Sequence, residues 1–180
     1  MKFRSNSLKD IHIQGIVLDE IILEADSLEK LQIKDFDLGI FKLLSKGTLR
    51  LLEMDDVYGF PPDIGENAEN LEIVEFSNST TWQPDFHHMI SKLSKCGLLG
   101  YSQLENVVVL ELGWKVITDL FSHWVAELLG RCPNLRKLVI HGAVSRIKTQ
   151  EECQILANFT SFIVKLIGKY LHVDVQFKYV

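Results

Sequence analysis

Apolar residues recur along the chain in one spacing that is repeated six times. Each copy has an apolar residue, two variable residues, a second apolar residue, one variable residue and a third apolar residue, and four copies add another apolar residue three positions later. The copies are Leu8-Ile11-Ile13-Ile16, Leu28-Leu31-Ile33-Phe36, Leu49-Leu52-Met54-Val57, Leu71-Val74-Phe76, Val107-Leu110-Leu112 and Leu135-Leu138-Ile140-Ala143. Their first residues follow one another after 20, 21, 22, 36 and 28 positions, which indicates one structural unit repeated along the chain.

This spacing, at a period of about 20–29 residues, is the signature of a leucine-rich repeat (LRR). Alternation along a strand points the second and third apolar residues of each copy inward and the variable residues outward. The sequence therefore predicts strands near residues 10–14, 30–34, 51–55, 73–77, 109–113 and 137–141. They stack in parallel as the concave sheet of an α/β solenoid, a single LRR domain over 1–180, and such a fold offers an extended binding surface.

The segments that return the chain between strands change along its length. Repeats of 20 to 22 residues leave no room for a long helix, so residues 16–23 are expected to be extended. One or two helical turns are expected over 39–45, ended by Gly47. Later connections are predicted as helices on the convex side. One opens at Pro84, and another runs from Thr118 or Asp119 to Gly130.

The two ends of the repeat pattern are predicted to differ. A third helix opens with the capping box Thr149-x-x-Glu152 and leads into an alternating strand over 173–179. The segment 149–180 is read as a helix–strand C-terminal cap. Only seven residues precede Leu8, so the solenoid is expected to be open at its front. In the 36-residue step, residues 94–103 are read as a loop or the trace of a missing repeat.

Composition narrows the location and the partners. The chain of 180 residues is 47% hydrophobic and carries a net charge of −5, which argues against nucleic acid as the partner. Three cysteines at long spacing, no apolar leader and no membrane-length apolar run predict a reduced cytoplasmic or nuclear protein that does not bind membranes.

No residue pattern indicates chemistry. The pair His87-His88 does not share a helix face, so it is a poor metal site. Asp55-Asp56 with Glu53 forms an acidic edge. Lys30 and Lys34 lie beside it one repeat earlier, and we expect these two lysines to neutralise the acidic residues across the strands. We predict no enzyme activity, cofactor, metal or catalytic residue, because the motifs of the common catalytic families are also missing from the sequence.

Two segments carry a resemblance to a known family. Leu128-Leu129-x-x-Cys132-Pro133-Asn134-Leu135-x-x-Leu138-x-Ile140, and the block from Leu104 through Trp114 onto the last helix, resemble plant F-box/LRR-repeat proteins. The resemblance implies the substrate-binding part of an SCF-type E3 ubiquitin ligase receptor, acting in ubiquitin-dependent degradation. It covers the repeats. Nothing between Met1 and Leu8 matches an F-box, so a Skp1-type adaptor is a partner only if an F-box lies upstream.

The residues leave two other interpretations open: an F-box-less truncated paralogue that binds partners without delivering them to ubiquitin, and an unrelated LRR adaptor or immune-receptor fragment. In each case the partner is a protein bound on the concave face. The candidate residues, all variable positions or strand neighbours, are Lys30, Gln32, Lys34, Glu53, Asp55, Glu75, Glu111, Trp114, Lys137 and His141.

Overall fold

In a computed structural model of the chain, the structure describes residues 1–15, 17–45, 47–59, 64–77, 104–114, 119–142 and 149–179. The elements in order are β1 (Lys2–Arg4), β2 (Asp10–Gln14), β3 (Val17–Glu24), β4 (Lys30–Leu44), β5 (Leu51–Gly59), a 3-10 helix (Gly65–Asn70), β6 (Ile73–Ser77), β7 (Val109–Trp114), α1 (Asp119–Arg131), β8 (Lys137–Gly142), α2 (Gln150–Lys169) and β9 (Asp174–Tyr179). The helix predicted after Pro84 lies outside these ranges.

The described strands form one sheet whose pairings are all parallel, and this confirms the predicted α/β class. The second apolar residues of the repeats pair in one register from strand to strand. The aligned residues are Ile11, Leu31, Leu52, Val74, Leu110, Leu138 and Val175. From Leu31 to Leu138 these side chains are buried in one hydrophobic core, because alternation turns the same face of each strand inward.

In each of the first three repeats the chain bends at one residue with a left-handed backbone conformation, and this bend is called the corner below. Gly15, Asp35 and Asp56 have φ of 66°, 47° and 51°, and these angles are tolerated best by Gly, Asn and Asp. The corner separates β2 from β3 and divides β4 and β5 into two arms. One arm of each strand belongs to the repeat ladder, and the other returns the chain.

The return arm of β4 corrects one prediction. Residues 17–23 lie in β3 and are extended as expected, and position 16 is outside the described residues. The helix predicted over 39–45 is wrong, because β4 continues to Leu44. This arm pairs with β3 from Val17 opposite Asp37 to Glu24 opposite Leu44. The backbones are so close at Gly39 that a Cβ there would overlap the carbonyl oxygen of Asp19. Glycine thus permits sheet pairing where the sequence suggested a helix.

The later return segments are helical, as predicted. Helix α1 buries Val125, Leu128 and Leu129, and α2 buries Phe159 and other residues of its inner stripe in the same core. Ile167 of α2 is 42% exposed. Among the described residues, neither helix combines the length and apolarity needed to cross a membrane.

The ends of the described chain also join the sheet. Strand β9 pairs with β8 in the ladder register, Leu138 opposite Val175 and Ile140 opposite Phe177. The segment 149–179 therefore adds one more helix and one more parallel strand to the sheet. At the other end β1 pairs with β3, with Lys2 opposite Ile22.

Polar side chains tie successive repeats together. Ser27, Thr48, Asn106 and Asn134 each stand one position before the first apolar residue of a copy. Each donates a hydrogen bond of 2.6–2.9 Å to a backbone carbonyl of the preceding repeat. The bond from Thr48 is partly buried and the other three are exposed. Because an intramolecular hydrogen bond contributes about 1 kcal/mol, the four bonds help to hold one repeat against the next.

Candidate functional site: the variable face of the sheet

The non-core side of the ladder, called the variable face below, carries three rows of side chains that cross the strands. The first row is Asp10, Lys30, Leu51, Ile73, Val109, Lys137 and Asp174; the second is His12, Gln32, Glu53, Glu75, Glu111, Val139 and Gln176; the third is Gln14, Lys34, Asp55, Ser77, Gly113, His141 and Lys178. Each row exists because the strands share one register, so equivalent repeat positions become neighbours.

The centre of the second row is acidic. Glu53, Glu75 and Glu111 lie directly opposite one another on β5, β6 and β7. Adjacent strands are about 4.8 Å apart, so three carboxylates stand in one line. Like charges placed opposite one another in a sheet are unfavourable, and the outer two glutamates have compensating partners.

Glu53 is neutralised by the preceding strand. Its Oε1 lies 2.6 Å from the Nζ of Lys34, and the Nε2 of Gln32 donates to its Oε2. Burial alone raises the pKa of Glu53, but the hydrogen bonds from Lys34 and Gln32 outweigh it and hold the pKa below its usual value. The hydrogen bond with Glu53 raises the pKa of Lys34. The cross-strand neutralisation predicted for Lys34 is thereby confirmed, whereas Lys30 forms no ion pair with a described residue.

Glu111 has a partner on the following strand. The Nε2 of His141 lies 3.1 Å from its Oε2, and the contact is an ion pair only when the imidazole is protonated. The acidic row thus has Lys34 as a partner at one end and His141 as a partner at the other.

Glu75, between them, has no hydrogen bond or ion pair with any described residue. Burial raises its pKa, and the charges of Glu111 and Glu53 raise it further, against a smaller opposing effect of Lys30 and Lys34. Its carboxylate is half-buried and repelled from both sides. A cation brought to this point would therefore give Glu75 a partner that the described residues do not provide.

A row of apolar side chains runs beside the acidic row on the same strands. Leu51, Ile73 and Val109 are half-buried and lie opposite one another in the register. Lys30 and Lys137 stand at the two ends of this stretch. On β5 to β7 the variable face therefore presents an apolar line and an acidic line in parallel.

The structure brings nearly all the predicted site residues together. Nine of the ten lie in the three rows, and Asp55 accepts a hydrogen bond of 2.8 Å from the Oγ of Ser77. Trp114 follows in β7, but its side chain is outside the described part, as are His87 and His88. The sequence reading missed the apolar row as a feature of the surface. Its signal was present in apolar residues at variable positions of three successive copies.

Other parts of the described chain offer less chemistry. A cleft of about 650 Å³ beside the first row is lined by polar and charged residues together with Gly47 and Val108. Arg50 pairs there with Glu72. Burial raises the pKa of Cys132 to about 12, as expected for a packing residue. Within the described ranges, no three His, Cys, Asp or Glu side chains are grouped to hold a metal ion.

Comparison with known proteins gives one strong similarity. The chain is 42% identical over 224 aligned residues to an F-box/LRR-repeat protein of Arabidopsis thaliana, and the alignment covers 99% of the chain and 54% of that protein. The chain thus spans about half the length of the curated relative it matches. No family model and no solved structure matches it. The 224 aligned positions exceed the 180 residues of the chain, so the relative contains residues inside the matched stretch that this chain lacks.

Proposed function

Because the chain belongs to the plant F-box/LRR-repeat family, we propose that it is a leucine-rich-repeat protein-recognition module, the substrate-binding part of an SCF-type ubiquitin-ligase receptor. A protein marked for ubiquitin-dependent degradation is held on the variable face, in the cytoplasm or nucleus. Chemistry belongs to other subunits of the ligase, and the chain itself is not an enzyme. A Skp1-type adaptor joins through an F-box where the full protein carries one.

The observation that carries this proposal is the single register of the ladder. Six copies of one motif align their variable positions into three rows across neighbouring strands. A flat row of side chains gives a partner many shallow contacts, as a repeat protein requires for protein binding. A pocket that surrounds a small substrate uses convergent polar groups instead.

The charge of the face supports a protein partner. The acidic row and the net charge of −5 disfavour nucleic acid, whose phosphates repel carboxylates. Specificity comes from a mixed set of acidic, basic and apolar residues within a few strands, among them Lys34, Glu53 and Ile73. Complementary charges on such a face set partner choice and association rate more than affinity.

The test is made in plants that lack the protein. Proteins that accumulate in the knockout line are measured after complementation with the wild-type gene, with the triple variant Lys34→Ala, Glu53→Ala, Asp55→Ala, or with the control triple Lys165→Ala, Glu151→Ala, Glu20→Ala off the variable face. Wild type and control are expected to restore degradation, whereas the first triple does not, at equal receptor abundance. Full restoration by the first triple contradicts the proposal.

The same experiment addresses the F-box-less interpretation. A receptor that delivers its targets makes them accumulate when it is lost. A truncated paralogue that shields its partners from another receptor makes them decline when it is lost. The direction of the change in the knockout line therefore separates the two roles.

A further inference from the structure

We propose that the variable face is shaped for a basic amphipathic α-helix of the target, lying across β5, β6 and β7. Its apolar stripe rests on the row Leu51–Ile73–Val109, and its Lys or Arg side chains reach the row Glu53–Glu75–Glu111. This inference rests on the proposed function and names the class of segment that the module recognises.

The two rows form a surface with one apolar side and one acidic side. Each strand contributes one residue to each row, two positions apart, as Ile73 and Glu75 do on β6. Residues two apart on a strand are about 6.6 Å apart. An α-helix with its side chains is about 10–12 Å across, which is wider than the separation of the two rows. A helix with both stripes can therefore touch both rows at once.

The spacing along the rows also favours a helix. Three strands separate the ends of each row by two strand spacings, about 9.6 Å. Two turns of helix, seven residues, advance about 10.5 Å, so basic residues placed three and four apart stay opposite the three glutamates. In an extended peptide, side chains on one side recur every 6.6 Å or so. This is longer than the strand spacing of about 4.8 Å, so after one strand the side chains no longer lie opposite the residues of the rows.

Charge complementarity explains why the partner stripe is basic. Lys34 already occupies Glu53 and His141 contacts Glu111, while Glu75 has no partner among the described residues. A cation over Glu75 relieves its repulsion from both neighbours. Lys30 and Lys137 stand at the ends of the apolar row and repel basic residues placed there, which confines the helix to the three central strands.

The probe is a stapled helical peptide of about 18 residues with Lys at three- and four-residue spacing beside a Leu stripe. A scrambled peptide of the same composition and staple removes the stripes but keeps the charge. Binding to the 180-residue chain is measured by fluorescence anisotropy at about 0.05 M and about 0.3 M salt. The patterned peptide is expected to bind at least tenfold more tightly than the scrambled one.

Two sets of variants locate the contact. The triple Glu53→Gln, Glu75→Gln, Glu111→Gln is expected to weaken binding about tenfold or more. The matched triple Glu20→Gln, Glu69→Gln, Glu105→Gln changes the net charge equally but lies off the variable face, and it is expected to change binding less than about twofold. Since Glu75 has no described partner to lose, Glu75→Gln alone keeps the fold and is expected to weaken binding about threefold.

Three results overturn the inference: no binding of the patterned peptide, equal binding of the scrambled peptide, or equal weakening by both triples. An extended basic peptide that binds more tightly than the helix also overturns it. None of these results touches the proposed function, which is tested separately by complementation with the variable-face triple in plants.

Discussion

Replacing Glu75 by glutamine is expected to make the folded chain more stable at neutral pH. Burial and the charges of Glu111 and Glu53 raise the pKa of Glu75, against weaker opposing effects of Lys30 and Lys34. An acid with a raised pKa in the folded state binds a proton more readily when folded. Stability therefore falls as pH rises from the unfolded value through the folded value, and the full cost is present above both. Glutamine removes that cost.

The expected gain is small. Two unit charges about 5 Å apart repel by about 0.8 kcal/mol in water, and Glu75 has two such neighbours. Lys34 compensates most of the charge of Glu53, which leaves chiefly the repulsion from Glu111. A gain of about 0.5–1 kcal/mol follows, in line with measured cross-strand pairs. In a chain of this length it corresponds to a rise of about 2 °C in Tm.

Urea unfolding of wild type and Glu75→Gln from pH 8 down to pH 4 tests this directly. The gain is expected at the upper end and to shrink towards pH 4, because the wild-type carboxyl becomes protonated there. Glu105→Gln, at an exposed position off the variable face, serves as the control and is expected to change stability little. A loss of stability in Glu75→Gln, or a gain that is constant with pH, refutes the reasoning.

Three further predictions concern the packing of the sheet and its connecting segments. Asn134→Ala removes a 2.8 Å hydrogen bond to the preceding repeat and is expected to cost about 1 kcal/mol in urea unfolding; an unchanged midpoint argues against the role of these bonds. Gly130 lies in α1 with open space where a Cβ would be, so Gly130→Ala is expected to raise the free energy of unfolding by about 0.5–1 kcal/mol. Gly39→Ala is expected to lower it, because a Cβ there overlaps the backbone of β3. If Gly39→Ala is the more stable of the two variants, the close pairing of β3 and β4 is contradicted. Cys153 is exposed, whereas Cys132 is buried with its pKa raised to about 12. After alkylation of the folded chain at pH 8, peptide-level mass spectrometry is expected to find Cys153 modified, and Cys132 modified only after unfolding. Rapid labelling of Cys132 in the folded chain contradicts its packing role.

The repeat strands could be predicted because their signal is strong and local. The described strands β2, β4, β5, β6, β7 and β8 begin at Asp10, Lys30, Leu51, Ile73, Val109 and Lys137, the first residues of the predicted ranges. Alternation over three apolar positions fixes both the face and the register of each strand. The return arm of β4 gave no such signal, since a short apolar run near Gly39 fits a helix or a strand equally well.

The candidate site was only partly accessible to sequence reasoning. The pairing of Lys34 with Glu53 follows from a repeat step of about 20 residues, so it could be predicted. That Glu75 has no partner among the described residues could not be predicted, because this depends on the contacts that Glu53 and Glu111 make with Lys34 and His141. Asn67 was also missed: it is fully buried and accepts a 2.6 Å hydrogen bond from Ser45, a contact between repeats that no local pattern indicates.

The central claim is that the variable face holds the target protein. A photo-crosslinking amino acid is placed at Lys137, which is half-buried on that face, or at Lys165, which is exposed on α2, in the protein expressed in plant cells under proteasome inhibition. The account predicts that the probe at Lys137 captures a protein carrying ubiquitin, and that the same protein is missing from the capture at Lys165. Equal capture of that protein at both positions, or its capture at Lys165 alone, contradicts the account.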